Sequence, residues 1–173
     1  AYPLTLRQDL GSQMPALKKK YLRFESYKNQ TIDDIFTPAQ LDQAIKLNCN
    51  TGVTTVFYNQ GKGFLPKALP VEAQLAPVFS IYPADLNGDQ LPDLILGGNF
   101  SGSKPEIGSY MAQGLSIFMQ TPGHDFSYQP QPQWIHQEIR QLSKLQIGQT
   151  GYVIAAVNHG KPFVLKLEFN PQH

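Results

Sequence analysis

The sequence is poor in cysteine, in charge and in long apolar runs, and each shortage excludes a class of protein. Cys49 is the only cysteine, so no disulfide bond forms within the chain, and we expect a small, semi-buried thiol. Only 16% of the residues are charged, and the formal net charge is +1. The sequence therefore lacks the broad basic surface that drives non-specific nucleic-acid binding. No apolar run approaches the roughly 20 residues that span a bilayer, so no transmembrane segment is predicted.

Recognisable catalytic motifs are also absent from the sequence. No serine lies in a Gly-x-Ser-x-Gly turn, and no histidine lies in a His-Glu-x-x-His zinc motif. Asp33 and Asp34 are adjacent carboxylates, but they fit the first turn of a helix, where acidic groups complement the backbone dipole. We therefore predict a non-catalytic protein. Its 41% apolar content is sufficient for a folded core.

The most distinctive segment is DLNGDQLPD at residues 85–93, which is rich in oxygen ligands. Hard cations such as Ca²⁺ prefer six to eight oxygens, and a tight turn supplies them from alternate positions. An EF-hand would place a glutamate at position 12, but Leu96 stands there and the flanks are typical of strands. The segment predicts a calcium loop of another kind. Its expected ligands are three alternate side chains, one backbone carbonyl and a last carboxylate: Asp85, Asn87, Asp89, the carbonyl of Leu91, and Asp93.

Strand patterns dominate from residue 51 onward. Residues 77–82 and 94–96 flank the acidic loop, and Gly97, Gly98 and Asn99 are expected to be turn residues that close the second run. Turn clusters with glycine predict two hairpins. A further group of three strands is predicted near the end of the sequence. The hairpins pair residues 53–58 with 64–69 and 115–119 with 126–128, and the last three strands cover residues 138–147, 151–157 and 162–169.

A strand, a nine-residue acidic loop and a second strand that runs into Gly-Gly-Asn closely resemble the repeat of the FG-GAP/VCBS family, whose members build β-propeller blades. KPEIGSY at residues 104–110 also resembles a turn in the C-terminal part of large FG-GAP proteins that contain ASPIC/UnbV-type segments. Two positions depart from this pattern. Gln90 stands where family loops usually have glycine, and Met111 replaces an acidic residue. If Gln90 adopts positive φ, its side chain costs about 1 to 3 kcal/mol.

Helix signals characterise residues 1–50. Pro15 fits the first turn of a helix, and Thr37-Pro38-Ala39-Gln40 combines an N-cap, a proline at the first helical position and a capping-box glutamine. Leu41 and Ile45 are four residues apart, so we expect them to share one helix face. The three lysines at 18–20 are expected to lie on a solvated face.

The resemblance implies a mainly β fold. It predicts a partial β-propeller of about two to three antiparallel blades in residues 51–173, preceded by an N-terminal helical segment, residues 1–50. Because propellers usually contain four to eight blades, we expect the chain to be the C-terminal part of a larger protein. Unpaired blade edges invite pairing. Self-association, or pairing with a missing N-terminal part, is therefore expected.

The function implied by the resemblance is that of a non-catalytic, calcium-binding module for binding or scaffolding at the cell envelope. Calcium sites in extracellular modules bind at roughly 10⁻⁴ to 10⁻³ M, which favours an extracellular or periplasmic location. The alternative is an accessory or substrate-binding part of a carbohydrate-active enzyme. Candidate contacts for a protein or glycan ligand are Glu106, Tyr110 and Trp134. Glu106 could instead accept hydrogen bonds within its own loop, and the aromatic side chains could instead pack within blades.

Overall fold

The computed structural model describes residues 1–131 and 135–166. The chain divides into two compact units, Ala1–Asn50 and Thr51–His173. Helices dominate the first unit and strands the second. Within the described residues, no helix has both the length and the apolar character needed to cross a membrane.

Short helices build the first unit around a small aromatic core. Tyr21, Tyr27 and Ile35 are buried together, and the two tyrosine rings meet edge to face with centroids 5.5 Å apart. The Tyr27 hydroxyl donates to the carbonyl of Thr5 at 2.8 Å, so this buried polar group is satisfied. The helices are α1 (Arg7–Gln13), α2 (Pro15–Lys20), α3 (Ile32–Ile35) and α4 (Pro38–Asp42).

The sequence correctly predicted how two helices of this unit, α3 and α4, begin. Thr37 caps α4: Gln40 Oε1 accepts from the Thr37 N–H at 2.9 Å, and Thr37 Oγ1 accepts from the Gln40 N–H at 3.4 Å. Asp33 and Asp34 lie in the first turn of α3. Asp34 accepts from the Thr31 N–H at 2.9 Å, and hydrogen bonds from Thr31 hold the pKa of Asp34 below its usual value.

Two predictions for this unit are wrong, and both concern the chain after α4. The helix ends at Asp42, so Leu41 and Ile45 do not share a helix face, and Ile45 is 89% exposed. Cys49 is exposed rather than semi-buried, because no helix or strand covers this part of the unit. The four-residue spacing of Leu41 and Ile45 predicted a longer helix, but α4 ends at Asp42.

Antiparallel strands form three sheets in the described part of the second unit. Consecutive strands are neighbours throughout, so each sheet is a simple meander. The prediction of a mainly β fold is confirmed, as are both hairpins. Of the strand predicted at residues 162–169, the last three residues lie outside the described residues. The first sheet contains β1 (Thr55–Asn59) and β2 (Phe64–Ala68); the second contains β3 (Val78–Ala84), β4 (Asp93–Gly98), β5 (Leu115–Gln120) and β6 (Phe126–Gln129); the third contains β7 (Glu138–Ile147), β8 (Thr150–Asn158) and β9 (Phe163–Lys166).

The second sheet is covered on both faces. Successive side chains of a strand point to opposite faces, and β4 places Ile95 in a cluster with Ile139 and Val153 of the third sheet. The next residue, Leu96, lies in a different cluster with Phe118. That second cluster also contains Val56 of the first sheet. The short apolar run after the acidic loop is therefore a central strand buried on both sides.

Gly97 and Gly98 are strand residues rather than the predicted turn residues. Both belong to β4 and are buried. A Cβ atom on Gly97 would lie 2.5 Å from Ile139 Cγ2, and one on Gly98 would lie 2.5 Å from the carbonyl oxygen of Pro77. Glycine is required at these positions because neighbouring chain segments approach too closely for any side chain.

Candidate metal centre

The acidic loop joins β3 to β4, whose last and first residues, Ala84 and Asp93, are paired across the ladder. Gly88 has φ 84° and Gln90 has φ 68°. Gln90 therefore adopts the positive φ at which a non-glycine residue is strained by about 1 to 3 kcal/mol.

Asp85 folds the loop back on itself. Its Oδ1 accepts from the Gly88 N–H at 2.7 Å, and its Oδ2 accepts from the Gln90 N–H at 2.9 Å. Burial alone would raise the pKa of this carboxyl, but backbone N–H donors, those of Gln90 and Gly88 foremost, hold the pKa of Asp85 below its usual value. Asp85 is therefore a carboxylate at neutral pH.

Asn87 and Asp89 repeat this local turn chemistry at the next alternate positions. Asn87 Oδ1 accepts from the Asp89 N–H at 3.0 Å, and Asp89 Oδ1 accepts from the Leu91 N–H at 2.8 Å. Asn87 Nδ2 also donates to Asp89 Oδ2 at 2.9 Å. Each of these side chains therefore fixes the backbone two residues ahead of it.

Asp93 is the buried end of the loop. It is 0% exposed, and its two oxygens accept from the N–H groups of Leu86 and Gln120, both at 2.8 Å. Burial raises the pKa of Asp93; the two N–H donors oppose that effect, and the negative charges of Asp89 and Asp85 add to it. The charges of Asp89 and Asp85 therefore act on Asp93, and Asp93 ties the loop to β5.

The loop fits a hard cation by its donor chemistry, although its side chains do not already form a metal cluster. In the part of the chain that is described, no group of three or more Asp, Glu, His or Cys side chains is arranged to hold a metal ion. The three carboxylates and the Asn87 amide nevertheless keep acceptor capacity, because each oxygen has two lone pairs and accepts one hydrogen bond in most cases. If a cation binds, the donors would be Asp85, Asn87, Asp89, the carbonyl of Leu91, and Asp93.

Of the other three candidate residues, Glu106 and Tyr110 lie in the connection between β4 and β5. Glu106 is exposed, and within the described residues it accepts no hydrogen bond, so it does not tie down its own turn. Tyr110 is 44% exposed, and its backbone pairs with Phe100 through two hydrogen bonds of 2.8 Å. The Tyr110 backbone is thus fixed while its ring meets solvent. Trp134 lies outside the described residues.

A cleft of about 410 Å³ opens beside the acidic loop. One wall is the end of β3 and the first residue of the loop, and the other is the β7–β8 hairpin of the third sheet. Aromatic, amide and charged side chains meet there. The cleft is lined by residues that include Tyr82, Pro83, Asp85, Lys144, Gln146 and Gln149.

A buried polar network between the second and third sheets was not predicted from the sequence. Its first member is Asn99, which follows β4, has φ 76° and is fully buried. Asn99 Oδ1 accepts from the Gln113 N–H at 2.9 Å, and Asn99 Nδ2 donates to the carbonyl of His136 at 3.2 Å. Asparagine tolerates positive φ, so its place after two glycines was the one available signal.

Glu138 is the charged centre of this network. Its Oε1 accepts from the Ser101 N–H at 2.7 Å, and its Oε2 accepts from Arg140 at 2.7 Å and Asn158 Nδ2 at 2.9 Å. Hydrogen bonds from Ser101 and Asn158, joined by the charge of Arg140, lower the pKa of Glu138 to about 2. The Arg140 guanidinium also lies 4.1 Å from the centroid of the Phe79 ring. The carboxylate thereby connects β7 to the end of the second sheet.

Comparison of the chain with models of protein families, with curated proteins and with solved structures finds no match.

Proposed function

We propose that the chain is a non-catalytic, calcium-binding module of the FG-GAP/VCBS type, which serves in binding or scaffolding in an extracellular or periplasmic setting. The acidic loop is the observation that carries this proposal. Burial and the nearby charges of Asp89 and Asp85 raise the pKa of Asp93, so added positive charge would relieve an unfavourable interaction. When bound, calcium would supply that charge.

The loop's own residues would transmit this effect to the fold. Asp85 holds the backbone of Gly88 and Gln90, and Asp93 holds Leu86 and the Gln120 N–H at the end of β5. A stabilised loop would therefore fix the β3–β4 connection and its attachment to β5. The expected role is structural: it keeps this end of the second sheet in one geometry.

The arrangement of the sheets supports a partial β-propeller of about two to three blades. Three antiparallel meanders follow one another in the chain, and the second packs against both of the others. Consecutive blades of a propeller are consecutive four-stranded sheets. The second sheet would be a complete blade, and the first and third would be incomplete ones.

The outer faces of the first and third sheets support the proposed pairing with further sheets. Phe57 and Phe64 lie on the face of the first sheet opposite Val56 and are 54% and 67% exposed. In the third sheet, Val164 pairs with Ile154 on the face opposite the buried Val153. Exposed apolar sheet faces favour association. Either a second copy or another part of a larger protein would cover them.

The decisive test compares thermal unfolding in calcium and in chelator. A site with a dissociation constant of roughly 10⁻⁴ to 10⁻³ M would gain about 1.4 to 2.7 kcal/mol at about 10 mM calcium. For a chain of this size, that is a rise in melting temperature of about 3 to 10 °C. Equal melting of the unaltered protein in calcium and in chelator would refute the calcium proposal.

Two variants make this test specific to the loop. Asp85→Asn removes the charge but keeps one carbonyl acceptor, so we expect the melting temperature to lose most of its response to calcium. Glu106→Gln is the matched control, because it removes one carboxylate from an exposed turn. Its response to calcium should equal that of the unaltered protein.

The cleft favours a second candidate function, the accessory or substrate-binding part of a carbohydrate-active enzyme. Its lining includes Tyr82, Gln146 and Gln149, and sugar sites combine apolar surface with hydrogen-bonding groups in this way. Polysaccharide cleavage by a longer protein that contains this chain would support the enzyme-associated role. Unimpaired cleavage after removal of the chain would contradict it.

A further inference from the structure

The cleft beside the acidic loop lies where the third sheet extends its β7–β8 hairpin alongside the end of β3. Lys144 pairs with the core residue Val153, and Gln146 pairs with Gly151, so both side chains belong to the face of the third sheet that meets the second. Gln149 lies in the hairpin turn. Opposite them, Tyr82 packs against the core cluster. The cleft is therefore the open end of the interface between two sheets.

Several polar groups in this cleft make no hydrogen bond or ion pair to another described residue. Among the described residues, no hydrogen bond is made by the Tyr82 hydroxyl or the Gln149 amide, and no carboxylate forms an ion pair with Lys144. Asp85 is the acidic residue of the lining; its two oxygens accept backbone N–H groups, and each keeps a lone pair that would accept from a ligand hydroxyl. Gln146 Nε2 donates to the carbonyl of Gly148 at 3.1 Å, which orients its amide. A ligand would therefore meet the Lys144 ammonium group, two amides and the Asp85 carboxylate.

We propose that this cleft binds an acidic sugar: a pyranose ring that carries a carboxylate. Its volume of about 410 Å³ lies in the range of small-molecule sites. The Lys144 ammonium would donate charge-assisted hydrogen bonds to the sugar carboxylate. Primary amides both donate and accept hydrogen bonds, as hydroxyl groups do. Gln146 and Gln149 would therefore pair with neighbouring hydroxyl groups of the sugar. This match favours a sugar over an acidic peptide, and the Tyr82 ring supplies apolar surface for the pyranose.

The test is a titration of the isotope-labelled full chain with trigalacturonate, followed by NMR. Signals of the β7–β8 hairpin and the end of β3 should shift in a saturable manner. Lys144→Gln should weaken binding about ten-fold, the loss expected for one charge-assisted hydrogen bond. Lys161→Gln is the matched control, since Lys161 is an exposed lysine in the β8–β9 turn of the same sheet. It should leave the affinity unchanged.

The neutral trisaccharide of galactose, which lacks the carboxylates, should also bind about ten-fold more weakly. The proposal is overturned if no signals of the cleft shift, if Lys144→Gln and Lys161→Gln bind equally well, or if a glutamate tripeptide binds this cleft more tightly than the sugar. The inference rests on the binding role proposed above and names its ligand class. If the unaltered protein does not bind the sugar but calcium still raises its melting temperature, only the cleft proposal is refuted. If it binds the sugar but calcium does not change its melting temperature, only the metal proposal is refuted.

Discussion

Replacing Glu138 with glutamine would test how the second and third sheets are held together. The Glu138 side chain is 6% exposed and accepts from Ser101, Arg140 and Asn158. Glutamine keeps the shape and one carbonyl oxygen, but in either orientation its NH₂ group would face a donor where a carboxylate oxygen now accepts. At least one donor among Ser101, Arg140 and Asn158 would lose its partner.

The size of the effect follows from the carboxylate's titration. The pKa of Glu138 falls from 4.5 to about 2 on folding, and about 1.4 kcal/mol per pKa unit sets an upper limit of about 3 kcal/mol. Arg140 would remain partly solvated and would keep its bond to the carbonyl of Asn99 at 2.8 Å. We therefore expect a loss of about 2 kcal/mol, less than for a fully buried ion pair. The melting temperature should fall by about 4 to 8 °C at neutral pH.

The assay is thermal unfolding of both proteins by circular dichroism between pH 7 and pH 2. The pKa of Glu138 is depressed in the folded state, so its contribution is fully present above about pH 4.5 and is lost as the pH falls towards 2. The gap between the two melting curves should close over that window. Asp34, Asp85 and Asp93 titrate in both proteins and cancel in the difference. A gap that stays constant down to pH 2, or no gap at pH 7, would refute the reasoning.

Two further predictions concern the loop and the outer face. Gln90→Gly removes a side chain held at φ 68°, so it should raise the free energy of unfolding in chelator by about 1 kcal/mol; an unchanged or lower urea midpoint would show that this position is not strained. If the exposed face of the first sheet mediates pairing with a second copy, Phe57→Ser should lower the fraction of dimer in sedimentation velocity. The Glu106→Gln protein should sediment as the unaltered chain does. A purely monomeric unaltered protein at about 100 µM would contradict self-association.

Features whose causes lie within a few residues were predictable from the sequence. The capping box at Thr37 depends on Gln40, three positions later. The first hairpin depends on its turn, where Gly61 has φ 81° and donates its N–H to Asn59 Oδ1 at 2.8 Å. The strands flanking the acidic loop were likewise indicated by alternation and turn residues. In each case the physical interaction and the sequence signal occupy the same short segment.

Features that depend on distant residues were not predictable in this way. Ser80 Oγ accepts from the Leu142 N–H at 2.8 Å across 62 residues, and no local pattern marks either position. The glycines at the end of β4 resembled turn residues, because the sequence does not reveal how closely Ile139 approaches them. The register shifts beside Ser80 in β3 and beside Arg140 in β7 were equally hidden.

Two buried carboxylates in the second unit differ in a way that bears on where a cation would bind. Glu138 already has a cation, since Arg140 donates to it at 2.7 Å, and its pKa is lowered to about 2. Asp93 accepts only from neutral backbone groups, and its pKa is raised by burial and by the charges of Asp89 and Asp85. Added positive charge would gain little at Glu138 and more at Asp93. If a cation binds, the electrostatics therefore favour the acidic loop over the interface network.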